Sequence, residues 1–392
     1  MALFDDASLV VTPNGYKEGT LYSIKPTSGL GDMTVVRATT ATRVNSAGLI
    51  ESVANNVPRL DYTDSTCPSL LVEPQRTNLA LYSEQFDNAA WQNNGPWITP
   101  NTTTAPDGTL TADTLAASQA QNNWQAINAS INTTYTLSLY VKLGTATNLC
   151  LIVNNQSAWN TIGGQSFNSA NGLNTSTWTR ISYTFTTPST LPFGGINFHI
   201  GGNAETGLTQ STGTVFIWGA QLELGSYPTS YIPTTSAAVT RNADQISKTG
   251  ISSLIGQTEG TIFADIKYDS NIGSTKIITG LATGTSSFVY SFISGTTLVL
   301  SVYNSGTLQC YLTYSLPSSG RYKIAMGYKL NDFIVYVNGA NVASQTSGSV
   351  PSCSNLYLGN DFLTVYNKLE YNSAVLFPTR LTNAELATLT TL

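Results

Sequence analysis

The stretch Tyr135-Thr136-Leu137-Ser138-Leu139-Tyr140-Val141-Lys142 places Tyr135, Leu137, Leu139 and Val141 on one face and Thr136, Ser138, Tyr140 and Lys142 on the other. Side chains of an extended strand alternate between two faces, so such a run buries its apolar side only as part of a sheet. The pattern recurs at 150–153, 180–186, 195–200 and 214–223, separated by Gly, Asn and Thr turns and without a helical period. Strands at that spacing predict an antiparallel sandwich of jelly-roll type over residues 76–235.

A second sandwich is predicted over 251–392, from runs at 260–268, 288–293, 297–303 and 321–328. Its clearest signal is Asp332 to Val337 followed by Asn338-Gly339, a pair suited to the positive φ values of a two-residue hairpin turn. One helix is expected at the end, where Thr382 and Glu385 have capping-box spacing and Leu386 and Leu389 can pack inward. The small, polar stretch 236–250 reads as a linker.

The leading 75 residues read differently. Pro58 to Tyr62 and Ser69 to Val72 flank a polar turn, Thr63 to Pro68, and form a predicted hairpin that must end at Glu73-Pro74, where the ring nitrogen has no N–H for a ladder. Pro13-Asn14-Gly15 predicts a turn, as does Asn45 to Gly48. Large apolar residues are too few here for a separate core. Residues 1–75 are therefore expected to be an extended attachment arm, stabilised by another subunit or by the next domain, and its removal is expected to leave soluble sandwiches. The fold class is all-β: an N-terminal β-arm, two antiparallel β-sandwich domains and one short C-terminal helix.

Composition excludes several functions. The 392 residues suit two or three domains. Only 10% are charged, the net charge is -5, and 17 basic residues are spread without a cluster, which argues against a nucleic-acid partner. No apolar run reaches the length of a membrane span, and Met1 to Asp6 lacks the features of a secretory signal. The four cysteines, Cys67, Cys150, Cys310 and Cys353, have no zinc spacing and are expected as thiols; whether Cys310 and Cys353 pair depends on their Cα separation.

The run Arg37 to Glu51, then Pro58-Arg59-Leu60-Asp61-Tyr62, Leu71 to Leu79, Tyr82 to Trp91, Trp218-Gly219-Ala220-Gln221-Leu222-Glu223 and Tyr231 to Thr235 resembles a segment of tailed-bacteriophage fibre, spike or appendage proteins. The middle sandwich resembles carbohydrate-binding modules, and the last resembles laminin-G or concanavalin-A-like lectin domains. The resemblance implies a non-enzymatic virion protein, made in the bacterial cytoplasm and released by lysis. It implies attachment to other head or tail proteins through residues 1–75, a trimer, and exposure to host glycan.

Sugar recognition stacks a ring on an aromatic face and fixes hydroxyls with amides. Trp124 with Gln125, and Asn154, Asn155 and Gln156 with Trp159, are the candidate glycan contacts. Trp91, Trp178 and Trp218 are expected in the core. His199, the single histidine, is expected to face solvent, and no Gly-x-Ser-x-Gly elbow accompanies it. Asp265 and Asp269 are the nearest approach to the opposed carboxylates a glycanase needs. No catalytic residue and no cofactor are assigned; calcium is compatible with a lectin-like domain, without a ligand spacing to support it.

Overall fold

The computed structural model describes residues 3–93, 95, 97–117, 122–156, 160–201, 208–209, 211–269, 275–361 and 368–392. It is an all-β protein of antiparallel sheets in sandwich-like arrangement, with one α-helix, Asn383–Thr390, among the described residues. The chain divides into two units, one of residues 49–51 and 76–241, the other of residues 1–48, 52–75 and 242–392.

The first unit sets two five-stranded sheets face to face. One runs Ile98–Thr103, Ala112–Ala117, Gly213–Leu224, Thr134–Leu143 and Thr179–Thr186; the other runs Thr161–Asn168, Asn148–Asn155, Gly195–Gly201, Asn122–Asn128 and Gln92–Asn93. The alternation read from the sequence fills the space between them: Leu137, Leu139 and Val141 meet Leu151, Val153, Phe198 and Ile200. In Gly213–Leu224 the inward set changes parity, from Val215 and Ile217 to Ala220 and Leu222. A bulge opposite Leu139 causes this, since Trp218 pairs with Tyr140 but Gln221 with Ser138. Gly219 makes the bulge possible at φ 67°, with the rings of Tyr231 and Tyr140 only 3.2 and 3.3 Å from where a Cβ would stand. The shift turns Gln221 and Glu223 away from the core. There Glu223 accepts from Thr229 N–H at 3.1 Å, and Gln221 accepts from Ile232 N–H at 2.7 Å.

The second unit is built from both ends of the chain. Its strands form one hydrogen-bonded path in which Gln245–Lys248, Met33–Val36, Thr20–Lys25, Leu9–Lys17 and Leu369–Phe377 are successive neighbours. Leu9, Val11, Leu21, Met33 and Val35 share a core with Ile246, Ile262, Ile266 and Leu376. The expectation of a separate arm at 1–75 is thus corrected: the segment lacks its own core because it supplies strands to this one. The linker expected at 236–250 is corrected too, because Gln245–Lys248 is a strand between Met33–Val36 and Asn355–Leu358. Pro13-Asn14-Gly15 is a bulged stretch inside Leu9–Lys17, and the chain reverses instead at Gly19, φ 74°.

A buried ionic cluster joins the two ends of the chain. Arg37 Nη1 donates to Asp244 Oδ1 at 2.9 Å, Arg59 Nη1 to Glu73 Oε2 at 2.8 Å, and Arg59 Nη2 to Asp244 Oδ2. Two cations and two anions balance, and all four side chains are buried. The hairpin of Arg59–Asp61 with Ser69–Val72 forms as predicted, as do the Asn338-Gly339 turn and the Thr382 capping box. Leu386 and Leu389 pack on Phe263, Ala325 and Ile334. Cys310 and Cys353 are unpaired thiols in the core, each pushed up to about 12 by burial.

Candidate functional site

In the strand Glu259–Tyr268 the residues Ile262, Ala264, Ile266 and Tyr268 point into the core, which leaves Phe263, Asp265 and Lys267 on the outer face. The terminal helix covers that face at Phe263. Beyond Asp265 it opens into a cavity of about 900 Å³. Lys267, Arg321, Glu370 and Asn372 form its floor, Tyr62, Asp64 and Cys67 from the hairpin turn form one wall, and Thr12, Pro13 and Asn14 from the bulged strand form another.

Register explains the floor. Lys267 stands opposite Glu370 on one side and Arg321 on the other, so three charged residues lie in a row across three strands. Asn372 is the extra residue of a bulge between Ser373, paired with Asp265, and Tyr371, paired with Ile266. It donates to Asp265 Oδ1 at 3.0 Å, and Arg321 Nε donates to the same oxygen at 2.8 Å while Nη2 takes Oδ2 at 2.5 Å. Two β-bulges therefore border one cavity, a device that re-aims side chains out of the regular ladder.

The charges are largely matched within the site. Lys267 Nζ binds Asp64 Oδ2 and lies 3.8 Å from Glu370 Oε1, and Ser69 Oγ donates to Glu370 Oε2 at 3.4 Å. Burial lowers Lys267, but Asp64 and Glu370 together hold it above its ordinary value. Burial pushes the Glu370 carboxyl up to about 7; Lys267 and Lys368 oppose this, and Asp64 and Asp61 add to it. Asp61 accepts Val44 N–H and Thr63 N–H, each at 2.9 Å, one at each oxygen. The cavity is lined by Tyr62, by amide and hydroxyl side chains and by one guanidinium, that of Arg321, held bidentately by Asp265, a lining suited to a polyhydroxylated ligand. It is poorly arranged for glycoside hydrolysis: Asp61 is occupied by backbone amides and Asp64 by Lys267, leaving Glu370 without an opposed free carboxylate.

The residues expected to contact glycan are not gathered there. Trp124 is half-buried in Asn122–Asn128 and stacks on His199 with ring centroids 5.7 Å apart. Asn154 is buried on the same sheet face as His199, two residues from Ile152, its cross-strand neighbour. Gln125 is spent on backbone, accepting Leu81 N–H at 2.9 Å and donating to Leu81 C=O at 2.6 Å. Gln156 likewise donates to Ile127 C=O at 3.1 Å. Asn155 is half-buried on the core-side register opposite Ile196. Trp159 lies outside the described residues.

Two further expectations are corrected, and the Asp265–Asp269 spacing can be placed. His199 does not face solvent; it is buried against Trp124, and burial lowers it to about 4. Trp91 and Trp218 are buried, but Trp178 is half-exposed, donating to Thr104 C=O at 3.0 Å under the Lys142 ammonium. Asp265 and Asp269 do not face each other: Asp265 is held by Arg321, and Asp269 lies past the strand end, accepting from Ser319. Sequence reading missed the cavity because its floor comes from residues 267, 321, 370 and 372, joined to the hairpin only by the fold; the Asp61-Tyr62 pair and the acidic turn at Asp64 were its visible trace. Among the described residues no group of three or more His, Cys, Asp or Glu side chains is placed to hold a metal ion.

Neither a family model nor a curated protein matches the chain. Among solved structures it is similar to the receptor-binding domain of a botulinum neurotoxin C/D mosaic serotype, with 12% identity over 37% of this chain and 40% of that one, at a TM-score of 0.32. It is similar also to a structure of botulinum neurotoxin type C, whose cell entry depends on two ganglioside molecules (14% identity, 38% and 39% coverage, TM-score 0.32), and to the serotype G binding domain (12%, 37% and 39%, TM-score 0.32). The chain thus spans about two-fifths of the length of these structures. A likeness at this level carries no argument, and fold and site rest on the geometry above.

Proposed function

We propose that this chain is a non-enzymatic, glycan-binding β-sandwich protein, and that its binding site is the outer-face cavity walled by Tyr62 and Asp64 and floored by Lys267, Arg321, Glu370 and Asn372. The observation that carries the reading is the cavity itself. Its volume of about 900 Å³ is at the upper end for small-ligand sites, and charged, amide and hydroxyl side chains line it together with Tyr62. A sugar ring placed on Tyr62 would meet the Asn372 amide and the guanidinium edge of Arg321, both already oriented by Asp265. Pre-oriented donors lower the entropy cost of binding, so a weak site becomes useful when many copies act together.

The place of action we propose is the surface of a tailed-phage virion. The ordered motifs from Arg37 to Thr235 support that placement. Attachment to other virion proteins, expected of residues 1–75, falls in this reading to the solvent-facing side of their strands, where Tyr22, Ile24 and Val36 are exposed. Association of copies as a trimer belongs to the same proposal.

A glycan array probed with the full chain and with Tyr62→Ala tests the site. Binding by the parent and its loss in the variant is the expected result. Equal binding by both would remove the cavity from the account, and silence of the parent on bacterial surface polysaccharide would remove the function.

A further inference from the structure

Arg321 lines a second cavity as well as the first. This one, of about 410 Å³, is bounded by Leu3, Phe4, Phe263, Lys323 and Leu389, with Asp265 also in its wall. Both lie on the outer face of the same sheet, because Arg321 and Lys323 alternate with the inward-facing Tyr322 and Ile324. Arg321 lies between them, tied to Asp265 by two guanidinium bonds, and Asn372 donates to the same carboxylate.

The two ends of this line differ from its middle. Tyr62 stands at one end and Phe4, 45% exposed, at the other, while Arg321 between is charged and hydrogen-bonding. An aromatic ring that stays half in water on a small protein needs no explanation alone. Here, however, it borders a pocket that shares Arg321 with one already lined by hydroxyl, amide and guanidinium groups. A linear chain of sugars offers both chemistries: apolar ring faces for aromatic side chains such as Tyr62 and Phe4, and hydroxyl edges for groups such as Arg321 and Asp265.

Resting on the glycan-binding reading, we infer that the two cavities form one groove for an extended neutral oligosaccharide, with Tyr62 and Phe4 as the stacking platforms at its ends and the Asp265–Arg321–Asn372 cluster as its central hydrogen-bonding station. An acidic polysaccharide is disfavoured, since Arg321 is already paired with Asp265 and Lys267 with Asp64. The groove takes chain length, rather than a terminal sugar, as its measure of fit.

The test is calorimetric titration of the full chain with length ladders of linear glucan, chitin and mannan oligosaccharides. Affinity should rise with length and then level off once both platforms are covered. Phe4→Ala, an exposed position whose change spares the core, should weaken the longest bound ligand about tenfold, a clearly larger loss than for single sugars and disaccharides. Length-independent binding, or a Phe4→Ala effect equal for short and long ligands, overturns the groove while leaving the cavity as a sugar site. No binding by any ladder overturns both.

Discussion

Arg59 and Asp244, separated by 185 positions, are buried together with their charged groups in direct contact. Asp244 also accepts from Arg37 and from the backbone N–H of Glu73, so one carboxylate gathers three points of the leading segment. The Arg59 guanidinium answers with Glu73, and burial, which alone would lower it, is outweighed by these anions so that it stays above its ordinary value. Removing one partner would strand the others in a low-dielectric interior. We expect Arg59→Met to destabilise the terminal body by about 3–5 kcal/mol, read from denaturant unfolding. A loss below about 1 kcal/mol would show that the cluster relaxes to water.

The same geometry reverses the expectation for truncation. Deleting residues 1–75 removes Leu9, Val11, Leu21, Met33 and Val35 from the core and exposes the edges of Gln245–Lys248 and Leu369–Phe377. The 242–392 segment should then fail to fold and aggregate through its open strand edges, whereas 76–241, with its own core, should give a cooperative transition. A cooperative melt of 242–392 alone would contradict the shared core.

Acidification should act on His199 and Glu370 with opposite sign. His199 is lowered to about 4, so between about pH 6.5 and 4 the unfolded chain takes a proton that the folded sandwich refuses, and stability falls as pH falls. The contribution is on the order of 3 kcal/mol over that window. Asp113, raised to about 6 chiefly by burial, works the other way in the same sandwich, so the measurement is the difference between the parent and His199→Gln. Glu370, raised to about 7, holds a proton in the folded state that the unfolded chain gives up from about pH 4.5, so its contribution to the terminal body is present in acid and lost as pH rises through 7. Glu370→Gln should flatten that slope. Identical pH profiles for parent and variants would refute the assignments.

Gly219→Ala should cost the middle sandwich about 1–3 kcal/mol, because the bulge needs φ near 67° and the new methyl would press on Tyr231 and Tyr140. Thermal unfolding of the isolated 76–241 unit reads the loss. An unchanged midpoint would mean that the bulge is not required to set the parity of Gln221 and Glu223.

The parts of this fold that are local in the chain were legible in its sequence. Alternation at Tyr135 to Val141, the Asn338-Gly339 turn and the Thr382–Glu385 box each depend on neighbours a few residues away. What was not legible is pairing between distant segments. Nothing near Val10 indicates Val375 as its partner, and nothing near Ile246 indicates Val35. The same limit hid the site: Lys267 meets Asp64 only after the hairpin packs on the last strands. Gln125 and Gln156 read as ligand groups because amides near Trp serve that purpose; in the fold their amides bond the backbone of Leu81 and Ile127, partners that no local pattern announces.

The claim on which the functional account turns is that sugar binds on the outer face of the terminal body. A crystal structure of the full chain with the oligosaccharide bound most tightly on the array tests it directly. The account predicts sugar density against Tyr62, within hydrogen-bond reach of Arg321 and Asn372; density at Trp124 on the middle sandwich, with the cavity empty, would contradict it.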